Sequence, residues 1–177
     1  MKKIIMTAAA VFAFAFANAQ DSNSGGMTFG IKAGYVNSNF TGDIETDANS
    51  SAYFGGLVDF SISDKFHVQP ELLYSMEGSS DDGAGLDFIS IPIMAKYYVT
   101  KNLNIQAGPQ IAFVAGGDDV KDNVKSTDFR LGFGAAYELD GGLFIDARYN
   151  MGMTDISDTD GFEVKTQSFN LGLGYRF

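Results

Sequence analysis

From Met27 onward apolar and polar side chains alternate with a period of two, in stretches separated by clusters of Gly, Asp, Asn and Ser. In the first stretch Phe29, Ile31, Ala33 and Tyr35 share one face and Thr28, Gly30, Lys32 and Gly34 the other. The same alternation recurs to the end of the chain, where Phe169, Leu171, Leu173, Tyr175 and Phe177 oppose Ser168, Asn170, Gly172, Gly174 and Arg176. The pattern predicts strands over 27–39, 52–62, 66–76, 87–99, 103–113, 128–139, 143–153 and 168–177. Their connections alternate as well. Tight turns are predicted at 63–65, 100–102 and 140–142, and longer loops at 40–51, 77–86, 116–126 and 155–163. Each long loop joins an odd strand to the next even one, the order of an up-and-down antiparallel meander.

Eight such strands can close around an apolar interior, as in a soluble ligand-binding barrel, or expose the apolar face to lipid. The charges decide between the two. Lys32, Asp59, Glu71, Lys96, Arg130, Asp146 and Arg148 all lie opposite the apolar stripe. The stripe also carries more large aromatics, Phe54, Phe60, Phe66, Phe129 and Phe133 among them, than a narrow interior can hold. The strand glycines Gly30, Gly34, Gly108, Gly132, Gly134, Gly172 and Gly174 share the charged face, where small neighbours leave room for Arg and Lys. The fold expected is therefore an all-β, eight-stranded antiparallel transmembrane β-barrel with a polar lumen. Mean hydropathy near zero agrees, because alternation averages a lipid-facing stripe away.

Inward charges balance as Lys32, Lys96, Arg130, Arg148 and Arg176 against Asp59, Glu71, Glu77, Glu138 and Asp146. An ion-pair network is expected around Lys32, Asp59, Glu71, Lys96, Asp146 and Arg148, since unpaired charges in an enclosed interior are costly. Side chains would then fill the lumen and leave no general solute pore.

The segment before the strands has a different character. Met1 to Gln20 begins with Lys2 and Lys3, continues through an apolar run from Ile4 to Ala17 and ends in Ala17-Asn18-Ala19, the layout of a cleavable export signal. The expected division is a signal peptide over 1–19, a short periplasmic segment over 20–26 and the barrel over 27–177. Lys plus Arg number 12 against 22 Asp plus Glu, which excludes a chain that grips nucleic acid phosphates. With no Cys and one His, disulfides, thiol catalysis, iron–sulfur clusters and multi-histidine metal centres are excluded too.

The runs FGIKAGYVNSNF (29–40), DKFHVQPELLYSMEG (64–78), ISIPIMAKYY (89–98), DARYNMGMTDI (146–156) and LGLGYRF (171–177) carry a further signal. With the Gly108-Pro109 step, they make the chain resemble the PorT-type outer-membrane β-barrel family. The resemblance implies the barrel and the outer membrane. Its founding member is associated with a protein-secretion apparatus, and no catalytic residue carries over. Tyr175 and Phe177 at the carboxy terminus resemble the aromatic signal read by the barrel-assembly machinery.

Two groups invite a chemical reading. His67 could serve a lipid hydrolase, but it sits at a strand start with inward parity and has no visible nucleophile, so it reads as a polar residue at the periplasmic mouth. The long loops are acidic. Asp155, Asp158, Asp160 and Glu163 are weak candidates for a calcium or magnesium site, lacking the full spacing of a calcium loop, and read otherwise as solvated carboxylates. No cofactor is expected. The expected surroundings are outer-membrane lipid and lipopolysaccharide, with envelope or secretion proteins as further candidates; divalent bridging of the acidic loops to lipopolysaccharide phosphates is an alternative to a cation site of their own. The favoured reading is a structural or adhesive barrel without catalysis, ahead of a secretion-complex component and of a lipid-modifying enzyme.

Overall fold

The computed structural model describes residues 26–42, 48–78, 85–117, 125–156 and 164–177. Strands β1 (Met27–Gly42), β2 (Asn49–Ser61), β3 (Phe66–Gly78), β4 (Gly85–Tyr98), β5 (Leu103–Gly117), β6 (Thr127–Glu138), β7 (Leu143–Gly152) and β8 (Val164–Arg176) follow in chain order. Each pairs antiparallel with its neighbours, and β1 pairs with β8, so the sheet closes into a barrel. The β1–β8 ladder runs without a break from Gly30↔Arg176 to Gly42↔Val164. Closure removes the edge strands, as a lipid environment demands of any sheet.

Alternation in sequence becomes alternation in burial. Along β7 every second residue from Phe144 to Gly152 is buried, while Leu143, Ile145, Tyr149 and Met151 are exposed. Phe29 and Val58, neighbours across the β1–β2 ladder, depart from this rule and are buried despite outward parity. The tight turns fall where the sequence places them. The last one is a single 3-10 turn over Asp140–Gly142, with Gly141 and Gly142 at φ +83° and +89°, a region that glycine enters without strain.

At the opposite end the strands run further than the pattern predicts: β1 continues to Gly42, β2 starts at Asn49, β5 reaches Gly117 and β8 begins at Val164. Residues 40–42 and 49–51 were expected in a loop because the apolar alternation stops there. They pair nonetheless, since the ladder satisfies backbone groups whatever the side chains face. Outward side chains bond to one another at this level. Asn37 Nδ2 donates to Ser50 Oγ at 3.2 Å, Tyr35 and Ser50 share a short hydrogen bond, and Tyr149 donates to Gln167 at 2.7 Å.

Three ladders are interrupted, each beside a proline. The β2–β3 register skips from Leu57↔Glu71 to Phe60↔Val68 around Pro70. The β3–β4 register skips from Pro70↔Ile93 to Leu73↔Ser90 around Pro92. The β4–β5 register skips from Pro92↔Gln110 to Ala95↔Ala107 around Pro109. Register is kept across each gap, so the strands part locally without slipping. Proline offers no N–H to a ladder, which accounts for the gaps.

Candidate functional site: the charged lumen

Inward residues stack in three layers along the barrel axis. The charged residues of the middle layer come from odd strands. Lys32 of β1 lies 3.0 Å from Glu71 of β3 and 3.1 Å from Asp146 of β7. Arg148 of β7 reaches Glu71 through a fork, Nη1 to Oε2 at 2.9 Å and Nη2 to Oε1 at 2.7 Å, and lies 3.7 Å from Asp146. Gln106 of β5 accepts a further bond from Arg148 at 3.1 Å, and the Tyr53 hydroxyl donates to Asp146 at 3.3 Å. Gly172 makes this geometry possible: a Cβ there would sit 2.5 Å from Asp146 Oδ1 and closer still to the Tyr53 hydroxyl.

The layer at the short-turn end comes chiefly from even strands. Asp59 of β2 accepts from Lys96 Nζ at 2.7 Å, from His67 Nδ1 at 2.5 Å and from Arg176 Nη1 at 3.4 Å. Glu138 pairs with Arg176, accepts from Tyr98 and lies 3.7 Å from Lys96. Gln69 links the two layers, accepting from Lys96 at 3.0 Å and donating to Glu71 at 2.8 Å.

The layer at the long-loop end is centred on Arg130. Its Nη1 lies 2.6 Å from Glu77 and its Nε 2.7 Å from Asp128, which also accepts from Thr166 at 2.6 Å. Its guanidinium sits 4.4 Å from the Phe88 ring centroid. Phe88 belongs to an apolar cluster with Leu86 and Ala112, against which Phe40 and Val114 pack. This cluster lies beside the charges at that end, Leu86 being paired with Glu77 and Ala112 with Asp128 across their ladders.

The six residues named for the network thus fall into two layers: Lys32, Glu71, Asp146 and Arg148 in one, Asp59 and Lys96 in the next. The expected balance of inward charge needs a correction. Asp128 is fully buried and bound to Arg130, so the lumen holds the carboxylates of Asp59, Glu71, Glu77, Asp128, Glu138 and Asp146 against five bases. Its inward parity opposite Phe129 was the signal that could have placed it there. Tyr53, Tyr98 and Gln69 join the network through the same parity.

His67 is engaged by Asp59 through Nδ1, and its ring lies 4.6 Å from that of Tyr98. Of the candidate cation ligands, Asp155 accepts from the Val164 amide at 2.8 Å and lies 3.7 Å from Lys125; Asp158, Asp160 and Glu163 lie outside the described residues, as does the segment 1–25. Among the described residues no three His, Asp or Glu are placed to hold a metal ion. Tyr175 and Phe177 present their rings outward, 5.4 Å apart and edge to face.

Every charge in these layers has an opposite partner within 4 Å, the condition under which burial of ions is tolerable. Arg148–Glu71 crosses the lumen from β7 to β3, and the other Lys and Arg pairs between strands join walls two or three strands apart.

No curated protein matches the chain in sequence. Solved structures of the same architecture do. The attachment invasion locus protein Ail of Yersinia pestis is 20% identical, with 86% of this chain and 99% of that one covered and a TM-score of 0.55. In a phospholipid bilayer nanodisc the same Yersinia pestis protein gives 19% identity, 85% and 99% coverage and a TM-score of 0.54. Neisserial surface protein A is 15% identical over 86% of this chain and 99% of that one, with a TM-score of 0.56. These likenesses show the fold, and an exposed apolar belt is the surface that a barrel of this fold turns to lipid. Residues 6–177 match the outer membrane protein beta-barrel domain, and the chain belongs to that family.

Proposed function

We propose that this barrel is a non-conducting, non-catalytic outer-membrane scaffold that presents its long acidic loops outside the cell in a structural or adhesive role. The observation that carries the reading is the cross-lumen bonding of opposite walls. A lumen tied by Arg148–Glu71 and Lys96–Asp59 in successive layers leaves recognition to the loops. The loops carry Asp43, Glu45 and Asp47, then Asp81 and Asp82, then Asp118, Asp119 and Asp122. Ail, a barrel of the same fold, is named for attachment.

In this reading residues 1–19 are removed on export, the short turns and both termini lie in the periplasm, and Tyr175 and Phe177 are read during assembly. Protease added to intact cells should cut within 40–51 or 116–126 and spare 63–65. Purified protein in planar bilayers should show no stable ion-selective current. Steady conductance sensitive to Arg148→Ala would overturn the proposal. Stoichiometric recovery of envelope proteins after mild crosslinking would replace it with the PorT-like role of a secretion-complex component.

A further inference from the structure

The outer wall is not uniform. Where β7, β8, β1 and β2 run side by side, a groove of about 510 Å³ is cut into the lipid-facing surface. It is lined by the outward side chains of Ile31, Phe54, Leu143, Leu173 and Tyr175 around the small Ala33. Below them the floor includes Lys32, Gly55 and Gly174, aligned in register. The Lys32 ammonium points into the lumen toward Glu71, so that residue gives the groove no charged group. The groove starts near the middle of the strands at Ala33 and ends at Tyr175 and Leu143, beside the turn at 140–142.

A groove of this chemistry in hydrocarbon takes a hydrocarbon chain, and its depth gives the source. Its lining lies in the short-turn half of the strands, so the chain belongs to the leaflet on that side, the periplasmic one in the orientation proposed above. At the mouth the Tyr175 ring lies against Gly142, 3.5 Å from where a Cβ would stand, and exposed Asp140 is two residues away. A tyrosine hydroxyl at this level can donate to an ester or phosphate oxygen, and the carboxylate of Asp140, in the same turn as Gly142, favours a cationic head-group amine over a purely anionic head.

We propose that this groove retains one phospholipid with a primary-ammonium head group, an acyl chain lying over Ala33 and the ammonium facing Asp140. The lipid would lie against the β1–β8 seam on which closure of the barrel depends.

The test is native mass spectrometry of the full mature barrel after reconstitution in bilayers containing phosphatidylethanolamine and phosphatidylglycerol with identical chains. One phosphatidylethanolamine should remain per barrel, favoured by about fivefold, the size of a solvent-exposed ion pair. Ala33→Phe should lower retention about tenfold by filling the groove, and Ala33→Leu should lower it less, whereas Ala107→Phe elsewhere on the lipid face should not. Asp140→Asn should abolish the head-group preference while leaving a lipid bound.

Heat-modifiable gel migration reports folding of each variant, and protease access on cells reports orientation. Failure of the groove is thereby told apart from failure of the functional reading. A folded barrel that retains no phospholipid, or equal retention by Ala33→Phe and Ala107→Phe, would overturn the site. Equal binding of both lipids would overturn the role of Asp140.

Discussion

Arg148 and Glu71 face each other across the full width of the barrel, on strands β7 and β3, four places apart whichever way the ring is counted. Two parallel hydrogen bonds join them, with Lys32 and Asp146 alongside. Removing one partner of such a buried pair strands a charge. Arg148→Ala and Glu71→Gln should each cost about 3–5 kcal/mol of unfolding free energy. The double replacement Glu71→Leu with Arg148→Met should cost less than the sum of the single changes. Urea unfolding followed by circular dichroism checks this, the chain having no Trp to report by fluorescence. Additive losses would show that the two residues are not coupled.

The middle layer also depends on a missing side chain. Gly172→Ala would push a methyl group against the Tyr53 hydroxyl and Asp146 Oδ1 and should destabilise the barrel by about 1–3 kcal/mol, the usual cost of overpacking. Introducing Tyr53→Phe with it removes the obstructing oxygen and should recover part of the loss. If Gly172→Ala were as stable as the parent in both backgrounds, the close approach would have no energetic weight.

Pro70, Pro92 and Pro109 lie beside gaps in three successive ladders, which places a row of missing backbone pairs across β2 to β5. The ladders β6–β7 and β7–β8 have no such gaps. Hydrogen exchange followed by mass spectrometry should therefore be faster in peptides covering 57–60 and 91–94 than in those covering 143–152. Uniform protection around the barrel would mean that the gaps are closed in the membrane.

The two faces should respond oppositely to charge and to lipid. Leu171→Arg, on an exposed mid-strand position, should cost about 2–4 kcal/mol in a bilayer, and Gln167→Arg, level with the hydrogen-bonded Tyr149, about 1 kcal/mol or less. A carbene label confined to the hydrocarbon phase should modify Ile91 and Leu131 and spare Arg148. Labelling of Arg148 would invert the assignment of faces, and equal cost at 171 and 167 would remove the depth dependence along the lipid-facing side.

The period-two pattern determined by itself the strand count, the turn positions, the antiparallel order and which side chains face in, because a strand offers only two faces and lipid rejects charge from one of them. The same parity put Asp128 and Tyr53 inside. Which inward residues meet was decided only by closure. Arg148 finds Glu71, 77 positions away, because shear and strand tilt bring β3 and β7 to the same height. The extra length of β1 and β8, the gaps beside the prolines and the groove over Ala33 likewise arise from neighbouring strands. The pairing partner, not the local pattern, supplies those backbone bonds and the walls around a small side chain.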